Sequence, residues 1–200
     1  MKQNPVPLHR EDLLEILETV VLTLLIYLVV QTFVAQPFQI YQDSMENTLD
    51  PGQMVLVDKL SPHFIDYKRG DVIVFEPPAG AREDGTDVPF IKRVIGVGGD
   101  TVQIKDGAVW VNGAKLNEPY VYDGQATDPT TGQSVWTVPS GYLFVLGDHR
   151  QESQDSRVFG PIPESSVIGR AWLRYWGGPF GFVGSASYDN VPNPSPAVSP

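Results

Sequence analysis

The 200-residue sequence contains no cysteine and only three histidines. Without cysteine the chain can form neither disulfides nor thiolate metal sites, and three histidines leave few ligands for zinc. Basic residues are also scarce, because 14 lysines and arginines face 24 acidic residues and give a net charge of −10. Nucleic-acid binding requires clustered positive charge. We therefore expect no metal ion, no cofactor and no nucleic-acid partner.

Long hydrophobic runs are equally scarce, and the sequence has one, at residues 20–30. With its apolar flanks the run reaches about 20 residues, the length that a helix needs to cross a bilayer. We predict a transmembrane anchor over residues 16–36. A buried helix and the apolar part of a cleavable signal peptide are the alternatives. Residues 31–38 offer no good small-residue cleavage site, and the acidic residues before the run are not typical of a signal peptide.

The positive charges around this run indicate its orientation. Lys2 and Arg10 precede it, and neither lysine nor arginine follows until Lys59. The positive-inside rule then places residues 1–15 in the cytoplasm and everything after residue 36 outside. The expected location is the cell membrane, with a single pass and an extracytoplasmic domain.

The residues after the apolar run form short alternating segments bounded by turn-forming glycine, proline and aspartate. Segments of this length and composition are typical of β-strands. We predict strands at residues 54–57, 71–75, 90–97, 101–104, 108–111, 142–146 and 167–175. Two polar stretches, 77–89 and 117–140, are predicted to be excursions from one β core. The glycine-, proline- and serine-rich residues 177–200 predict a mobile tail.

Ser44 is a candidate nucleophile because it follows the apolar run closely, in the polar turn at residues 43–52. A serine alone is most often a solvated turn residue, so the assignment depends on a base. His63 or His149 could complete a Ser-His-Asp triad. Each lies in a polar loop, which is more typical of a solvated histidine, and His9 would lie on the cytoplasmic side. The histidine triad therefore remains an alternative.

A lysine can also act as the base for serine, when burial lowers its pKa from about 10.4 towards neutral pH. Lys92 lies in the run 90–95, which is apolar on both sides of Lys92 and Arg93. In a strand these two side chains point to opposite faces, so one can face the core while the other meets solvent or an ion pair. The alternative is an ordinary edge-strand lysine that prevents edge pairing.

A third polar cluster, residues 147–160, follows the predicted strand at 142–146. Acids and arginines alternate in it before a Gly-Pro turn. One interpretation is a solvated loop with surface ion pairs worth about 0 to 1 kcal/mol each. The other is a rigid, paired loop whose serine or aspartate side chains orient a catalytic group.

In their order along the chain, these pieces resemble bacterial type I signal peptidase, the membrane-anchored serine protease that removes signal peptides from exported proteins. The resemblance extends from the anchor to about residue 176. It is carried by Phe38-Gln39-Ile40 with Ser44-Met45 and Thr48-Leu49, by residues 69–75, by residues 91–96 with Gly99-Asp100, and by Gly147, Asp148, Arg150, Ser153, Asp155, Ser156, Arg157 and Gly160. The last two groups are the most specific, because their polar residues keep a fixed order and spacing.

The resemblance implies a Ser-Lys dyad that needs no histidine. Ser44 would be the nucleophile and Lys92 the general base. Ser153 would form a hydrogen bond to the lysine and orient it. The Ser44 backbone N–H, with the side-chain amide of Gln42, would hold the oxyanion.

The resemblance also assigns supporting residues. Structural ion pairs would join Asp148 to Arg93 and Asp155 to Arg157. The substrate pocket would accept small side chains one and three residues before the cut, which gives an Ala-x-Ala preference. Its implied lining is Ile40, Met45, Leu49, Phe90 and Ile91.

The fold that the resemblance implies is mainly β, built from antiparallel sheet in two parts after one N-terminal transmembrane helix. The catalytic β core would comprise residues 37–105 and 141–176, and a smaller inserted β lobe residues 106–140. The implied function is a membrane-anchored serine endopeptidase that removes signal peptides from exported preproteins. Its partners would be preprotein signal peptides and the lipid bilayer.

The sequence departs from the family pattern around the nucleophile. Tyr41, Gln42 and Asp43 stand where the family usually has a proline or similar, a small hydroxyl residue or glycine, and glycine. Asn47 replaces a proline. Gln42 could complete the oxyanion hole only through its amide N–H, and Asp43 would oppose a forming oxyanion if it pointed inward.

These departures keep other functions open. A specialised peptidase with a narrow substrate range is one alternative, and an anchored extracytoplasmic binding module without activity is another. The repressor autoproteases of the SOS response share a Ser-Lys dyad. The anchor and the lack of a basic DNA-reading segment argue against that class.

Overall fold

A long helix begins the computed structural model, which describes residues 10–81 and 88–194. This helix, α1 (Arg10–Val29), continues through a π-helical turn at Val30–Val34. Two acidic residues lie in its first turn, where negative charge complements the helix dipole. Every residue from 10 to 30 is exposed, and the helix is long and apolar enough to cross a membrane. Residues 1–9 of the expected cytoplasmic segment lie outside the described residues.

Eight strands form the larger of two sheets. They are β1 (Ala35–Gln39), β2 (Met54–Asp58), β3 (Val72–Phe75), β4 (Phe90–Gly96), β9 (Tyr142–Leu146), β10 (Ile162–Pro163), β11 (Val167–Trp176) and β12 (Gly181–Phe182). The order is β1-β2-β11-β3-β4-β9-β10, with β12 paired to β11. All of these pairings are antiparallel.

Four strands form the smaller sheet, in the order β7-β6-β5-β8. They are β5 (Thr101–Lys105), β6 (Ala108–Val111), β7 (Ala114–Lys115) and β8 (Val135–Thr137). Their pairings are also antiparallel, which confirms the mainly β fold predicted from the sequence. The smaller sheet begins at residue 101, within the stretch expected to belong to the catalytic core. We call residues 101–137, which contain this sheet, the small lobe.

Strand β1, which directly follows the helix, was not predicted from the sequence. Its sequence contains Pro37 and does not alternate strictly, so the pattern gave no strand signal. It pairs with β2 from Ala35 opposite Asp58 to Gln39 opposite Met54. The predicted anchor, residues 16–36, therefore runs into this strand. The pairing continues directly from the helix, so the larger sheet starts where the apolar segment ends.

Residues 181–194 pack against the body of the protein, which differs from the mobile tail expected for residues 177–200. Tyr188 and Val191 are buried in the core of the small lobe. The carbonyl of Pro192 accepts hydrogen bonds from Arg69 and Asn112. Apolar side chains set among glycine, proline and serine thus anchor the segment, although its composition suggested mobility. Residues 195–200 lie outside the described residues.

The middle of the larger sheet is its most buried part. β4 lies between β3 and β9, and all seven of its residues are buried. Phe90 and Val94 pack into one apolar cluster, whereas Ile91 and Ile95 belong to clusters on the other side. Any charged side chain in this strand must therefore find its partners inside the protein.

Candidate active site

The side chains of Ser44 and Lys92 meet inside the protein. Lys92 Nζ lies 2.6 Å from Ser44 Oγ, although 48 residues separate the two in sequence. The second hydrogen bond of Nζ goes to the carbonyl of Ile91 at 3.0 Å. Ser44 is 3% exposed and Lys92 is 1% exposed. A hydroxyl and an amine in this contact can exchange a proton once the amine is neutral.

Burial lowers the pKa of Lys92 from 10.5 to about 8. The cause is desolvation, which penalises the charged ammonium, and the carboxylates of Asp155 and Asp148 partly oppose it. The Phe90 ring also faces the amine, with Nζ 5.1 Å from the ring centroid. A substantial fraction of Lys92 is therefore neutral at mildly alkaline pH.

The position of Lys92 rules out the edge-strand alternative. Lys92 is paired opposite Ile73 in the central strand β4, so it does not protect a free edge. Arg93, on the opposite face, is also buried, and its guanidinium binds both carboxylate oxygens of Asp148 at 2.9 and 2.7 Å. The alternation of the strand thus gives Arg93 an ion pair, whereas Lys92 has no paired carboxylate among the residues that the structure describes.

The turn that carries Ser44 is held by backbone hydrogen bonds. Ser44 lies in a 3₁₀ turn, Asp43–Met45, and its carbonyl accepts a bond from the His149 amide at 3.0 Å. Asn47 has a φ of +78° and donates its side-chain amide to the Tyr120 carbonyl. Proline, with φ near −65°, cannot adopt this conformation, which accounts physically for the asparagine at this position.

The aspartates and arginines of the loop at residues 147–157 are buried and paired, which contradicts the interpretation as a solvated loop with surface ion pairs. Asp155 accepts hydrogen bonds from the guanidinium of Arg157 at 2.8 Å and from the amide of Gly147 at 3.1 Å. Asp148 also accepts a bond from the Thr48 hydroxyl at 2.5 Å. These contacts connect the loop to the Ser44 turn and to β4.

Ser153 does not make the hydrogen bond to Lys92 that was expected. Its hydroxyl is buried and has no partner among the residues that the structure describes. Lys92 instead uses the carbonyl of its own neighbour, Ile91, as its second acceptor. The Ser153 hydroxyl nevertheless lies beside the turn that carries Ser44, the candidate nucleophile, because an atom added at Gly147 Cα would touch both Ser153 Oγ and the Ser44 carbonyl. We call this segment, residues 43–49, the nucleophile turn.

The two histidines considered as bases have other surroundings. His63 is exposed in the 3₁₀ turn Ser61–His63. The His149 ring stacks on Tyr122, and its Nδ1 lies 2.8 Å from a Glu46 carboxylate oxygen. Since Ser44 Oγ contacts the lysine amine, the geometry favours lysine as the base.

The departures from the family pattern lie at the surface. Gln42 is half-buried and Asp43 is exposed. Asp43 therefore points away from the interior, and its charge is screened by solvent. The Ser44 backbone amide and the Gln42 side chain, the two groups expected to hold the oxyanion, lie in or next to the same turn. Of these two groups, only the Gln42 side chain can be removed by substitution.

Four of the five expected pocket residues come together in one apolar cluster. Ile40, Met45, Leu49 and Ile91 pack around the Ser44 turn, each at most 3% exposed. Phe90 belongs to a different cluster, because it lies on the same face of β4 as Lys92. Within residues 10–81 and 88–194, no group of three or more acidic or histidine side chains is arranged to hold a metal ion.

Sequence reasoning missed the residues of the small lobe that touch the site. Glu118 and Tyr120 contact Arg150 and Arg93, respectively. Both lie at or near the start of the polar stretch 117–140, where no periodic pattern or motif distinguishes them. Only the fold brings them to the catalytic segments.

Replacing Lys92 with methionine should stabilise the protein, because it removes an ionisable amine from the interior. In the unfolded chain lysine ionises near 10.5, whereas in the folded protein the pKa is about 8, so the unfolded state binds more protons between these values. Below pH 8 the burial of the ammonium lowers the free energy of unfolding by its full amount, and this destabilisation disappears as the pH rises towards 10.5. Lys92→Met should therefore raise the free energy of unfolding by about 3 kcal/mol at pH 7. The gain should shrink near pH 10.5.

Chemical denaturation of the detergent-solubilised full chain at several pH values measures this gain. A Lys68→Met variant, at an exposed lysine, is the matched control and should show no comparable pH-dependent gain. Equal stability of Lys92→Met and the parent protein at pH 7 would mean that Lys92 is not desolvated.

Comparison with known proteins gives a family for this fold and site. Residues 13–176 match the family model described as signal peptidase, peptidase S26. The signal peptidase I of Leptolyngbya laminosa is 38% identical over 172 residues, covering 85% of this chain and 83% of the relative. The signal peptidase I of Bacillus licheniformis is 32% identical over 167 residues, covering 80% of this chain and 87% of the relative.

A solved structure was also found. The crystal structure of a signal peptidase I from Enterococcus faecalis V583 is 31% identical, with a TM-score of 0.40, and covers 53% of this chain and 97% of that chain. The family match spans the whole region that contains Ser44, Lys92 and the loop at residues 147–157. The chain belongs to the signal peptidase family, peptidase S26.

Proposed function

We propose that the protein is a membrane-anchored serine endopeptidase with a Ser44–Lys92 dyad that removes signal peptides from exported preproteins. The observation that carries this proposal is the 2.6 Å contact between a fully buried lysine amine and a buried serine hydroxyl. Membership of the signal peptidase family supports the substrate class.

The dyad hydrolyses a peptide bond in two steps. Neutral Lys92 takes the proton of Ser44 as Oγ attacks the carbonyl carbon, and the resulting tetrahedral intermediate carries the negative charge on oxygen. Lys92 then gives the proton to the leaving amine as the C–N bond breaks. Water, deprotonated by the same amine, attacks the acyl-enzyme and restores Ser44.

The oxyanion is stabilised by the Ser44 backbone N–H and by the amide of Gln42. Gln42 immediately precedes the 3₁₀ turn of Ser44 and is half-buried, which supports a side chain that can reach the site. The Ser153 hydroxyl, which has no partner among the described residues, is available to accept a hydrogen bond from a Lys92 N–H, and this leaves the lone pair of the amine free to take the proton of Ser44. Arg93 and Arg157 fix the carboxylates behind the dyad through their ion pairs.

Small side chains one and three residues before the cut are the preferred substrate features. The apolar walls formed by Ile40, Met45, Leu49 and Ile91 are packed closely, which leaves little room for a large side chain. The Phe90 ring belongs to a separate apolar cluster, and its position beside the lysine amine supports a contact with substrate at the edge of this pocket.

The helix at Arg10–Val34 anchors the protein with its N-terminus in the cytoplasm. Continuity from the helix into β1 supports a catalytic sheet close to the membrane surface, because Ala35 is both the first residue after the helix and paired in the sheet. Three aromatic side chains, Phe64, Trp172 and Phe182, are exposed and are suited to the membrane interface.

A panel of preproteins in detergent or liposomes tests this function. Cleavage should follow the Ala-x-Ala site, and replacing the alanine before the cut by a bulky residue should block it. Cleavage of only one precursor class would favour the specialised peptidase. Absence of cleavage across the panel, together with no reaction with a serine-directed covalent peptide inhibitor, would favour the inactive binding module.

A further inference from the structure

One short segment of the small lobe, residues 118–122, touches all three catalytic segments. The Tyr120 carbonyl accepts the side-chain amide of Asn47, in the nucleophile turn, at 3.0 Å. The Tyr120 ring lies against the Arg93 guanidinium, with Arg93 Cζ 4.0 Å from the ring centroid. The amide of Tyr122 donates to the Asp148 carbonyl at 3.0 Å. The segment therefore contacts the Ser44 turn, the Lys92 strand and the loop at residues 147–157.

The fourth contact is a buried ion pair between Glu118 and Arg150. The Arg150 side chain is 1% exposed, and both of its terminal nitrogens bind the Glu118 carboxylate, at 3.1 and 2.7 Å. A third donor, Arg150 Nε, binds the carbonyl of Gly147 at 3.0 Å. The Tyr120 hydroxyl also donates to Glu118 at 2.8 Å. A buried guanidinium requires such a partner, since an unpaired buried charge is strongly destabilising.

Gly147 is the point at which this ion pair can affect the dyad. A Cβ built on Gly147 would lie 2.6 Å from the Ser44 carbonyl oxygen and 2.2 Å from Ser153 Oγ. The backbone of Gly147 therefore packs directly against the nucleophile turn. A shift of the Gly147 backbone should therefore displace the turn that carries Ser44.

We propose that Glu118 is a positioning residue for catalysis. Glu118 fixes Arg150, Arg150 holds the carbonyl of Gly147, and Gly147 supports the turn that aligns Ser44 with Lys92. The small lobe thus sets the geometry of the dyad although it contributes no reacting group. This inference rests on the proposed Ser-Lys mechanism.

The kinetic test uses Glu118→Gln in the full-length enzyme. A displacement of about 1 Å in a reacting group can cost about 100-fold in rate, so kcat should fall by about 10- to 100-fold while KM changes by less than about threefold. Glu118→Asp keeps the charge and should recover part of the loss. Asp128→Asn is the matched control, because it removes one exposed carboxylate of the same lobe and should leave kcat unchanged.

A double-mutant cycle tests the route through Arg150. If Glu118 acts through Arg150, adding Glu118→Gln to Arg150→Gln should produce little further loss of kcat. Fully additive losses, or a loss seen in KM alone, would overturn the proposed route. If Glu118→Gln does not fold, the same cycle is measured with Glu118→Asp, and the same outcomes apply.

Hydrogen exchange gives a readout that does not depend on cleavage. Glu118→Gln should accelerate exchange at the amide of His149, which is bonded to the Ser44 carbonyl, and Asp128→Asn should not. Unchanged protection at this amide would contradict the positioning role. If the parent enzyme cleaves no preprotein, the proposed function fails, whereas the exchange result still decides whether Glu118 orders the nucleophile turn.

Discussion

Ser44→Ala and Lys92→Ala should each reduce preprotein cleavage by a factor of about 10⁴ to 10⁶. Among the described residues, the Ser44 hydroxyl is the one in contact with the Lys92 amine, and in the proposed mechanism that amine removes its proton. Without the hydroxyl no acyl-enzyme forms. Without the amine the hydroxyl keeps its proton at neutral pH.

Because the two side chains act as a unit, the double variant should be no slower than the slower single variant. Ser165→Ala and Lys68→Ala, at exposed positions, are the matched controls and should retain full activity. Folding of each variant is checked by thermal unfolding, since Lys92→Ala removes a desolvated charge but also leaves a cavity. Retained cleavage in either folded dyad variant would remove that residue from the mechanism.

Gly147→Ala should reduce kcat by about 100-fold or more. The added Cβ would lie 2.2 Å from Ser153 Oγ and 2.6 Å from the Ser44 carbonyl oxygen, closer than non-bonded atoms can approach. The Ser153 side chain can rotate away, but the Ser44 carbonyl belongs to the nucleophile turn. The turn must therefore move, and Ser44 Oγ moves with it relative to Lys92.

Gly181→Ala is the control for this substitution, because an added Cβ there meets no atom within 4 Å. The combination Gly147→Ala with Ser153→Gly removes one of the two clashes and should restore activity only in part. Full restoration would show that Ser153, and not the nucleophile turn, limits the space at Gly147. Full activity of Gly147→Ala alone would contradict the packing described here.

Seven of the twelve strands in the described residues, and the candidate dyad, were predictable because their signals are local or well spaced. The run around Lys92 is apolar on both sides, and its strand is fully buried in the structure. The central position of that strand could not be read from the run itself, because strand order depends on pairings between distant segments. β4 pairs with β3 and β9, which lie on either side of the small lobe in sequence order.

The packing of the small lobe and of the C-terminal segment could not be predicted from the sequence. Glu118 and Tyr188 lie in polar, turn-rich stretches, yet the first is paired with a buried arginine and the second is buried in the core. Their roles come from contacts with residues more than 30 positions away, for which the sequence carries no periodic signal. Composition alone predicted an excursion and a mobile tail, whereas a few apolar and charged anchors determine the packing.

The pH dependence of kcat/KM for an Ala-x-Ala signal peptide tests the central claim most directly. Lys92 accepts the proton of Ser44 only when it is neutral, so activity should fall about tenfold per pH unit below its pKa. Since burial lowers that pKa to about 8, the acid limb of the profile should show a single pKa near 8. A limb near 6.5 would indicate a histidine base, and a rate that still rises up to pH 10.5 would indicate an unburied lysine, and either result would contradict the Ser44–Lys92 dyad.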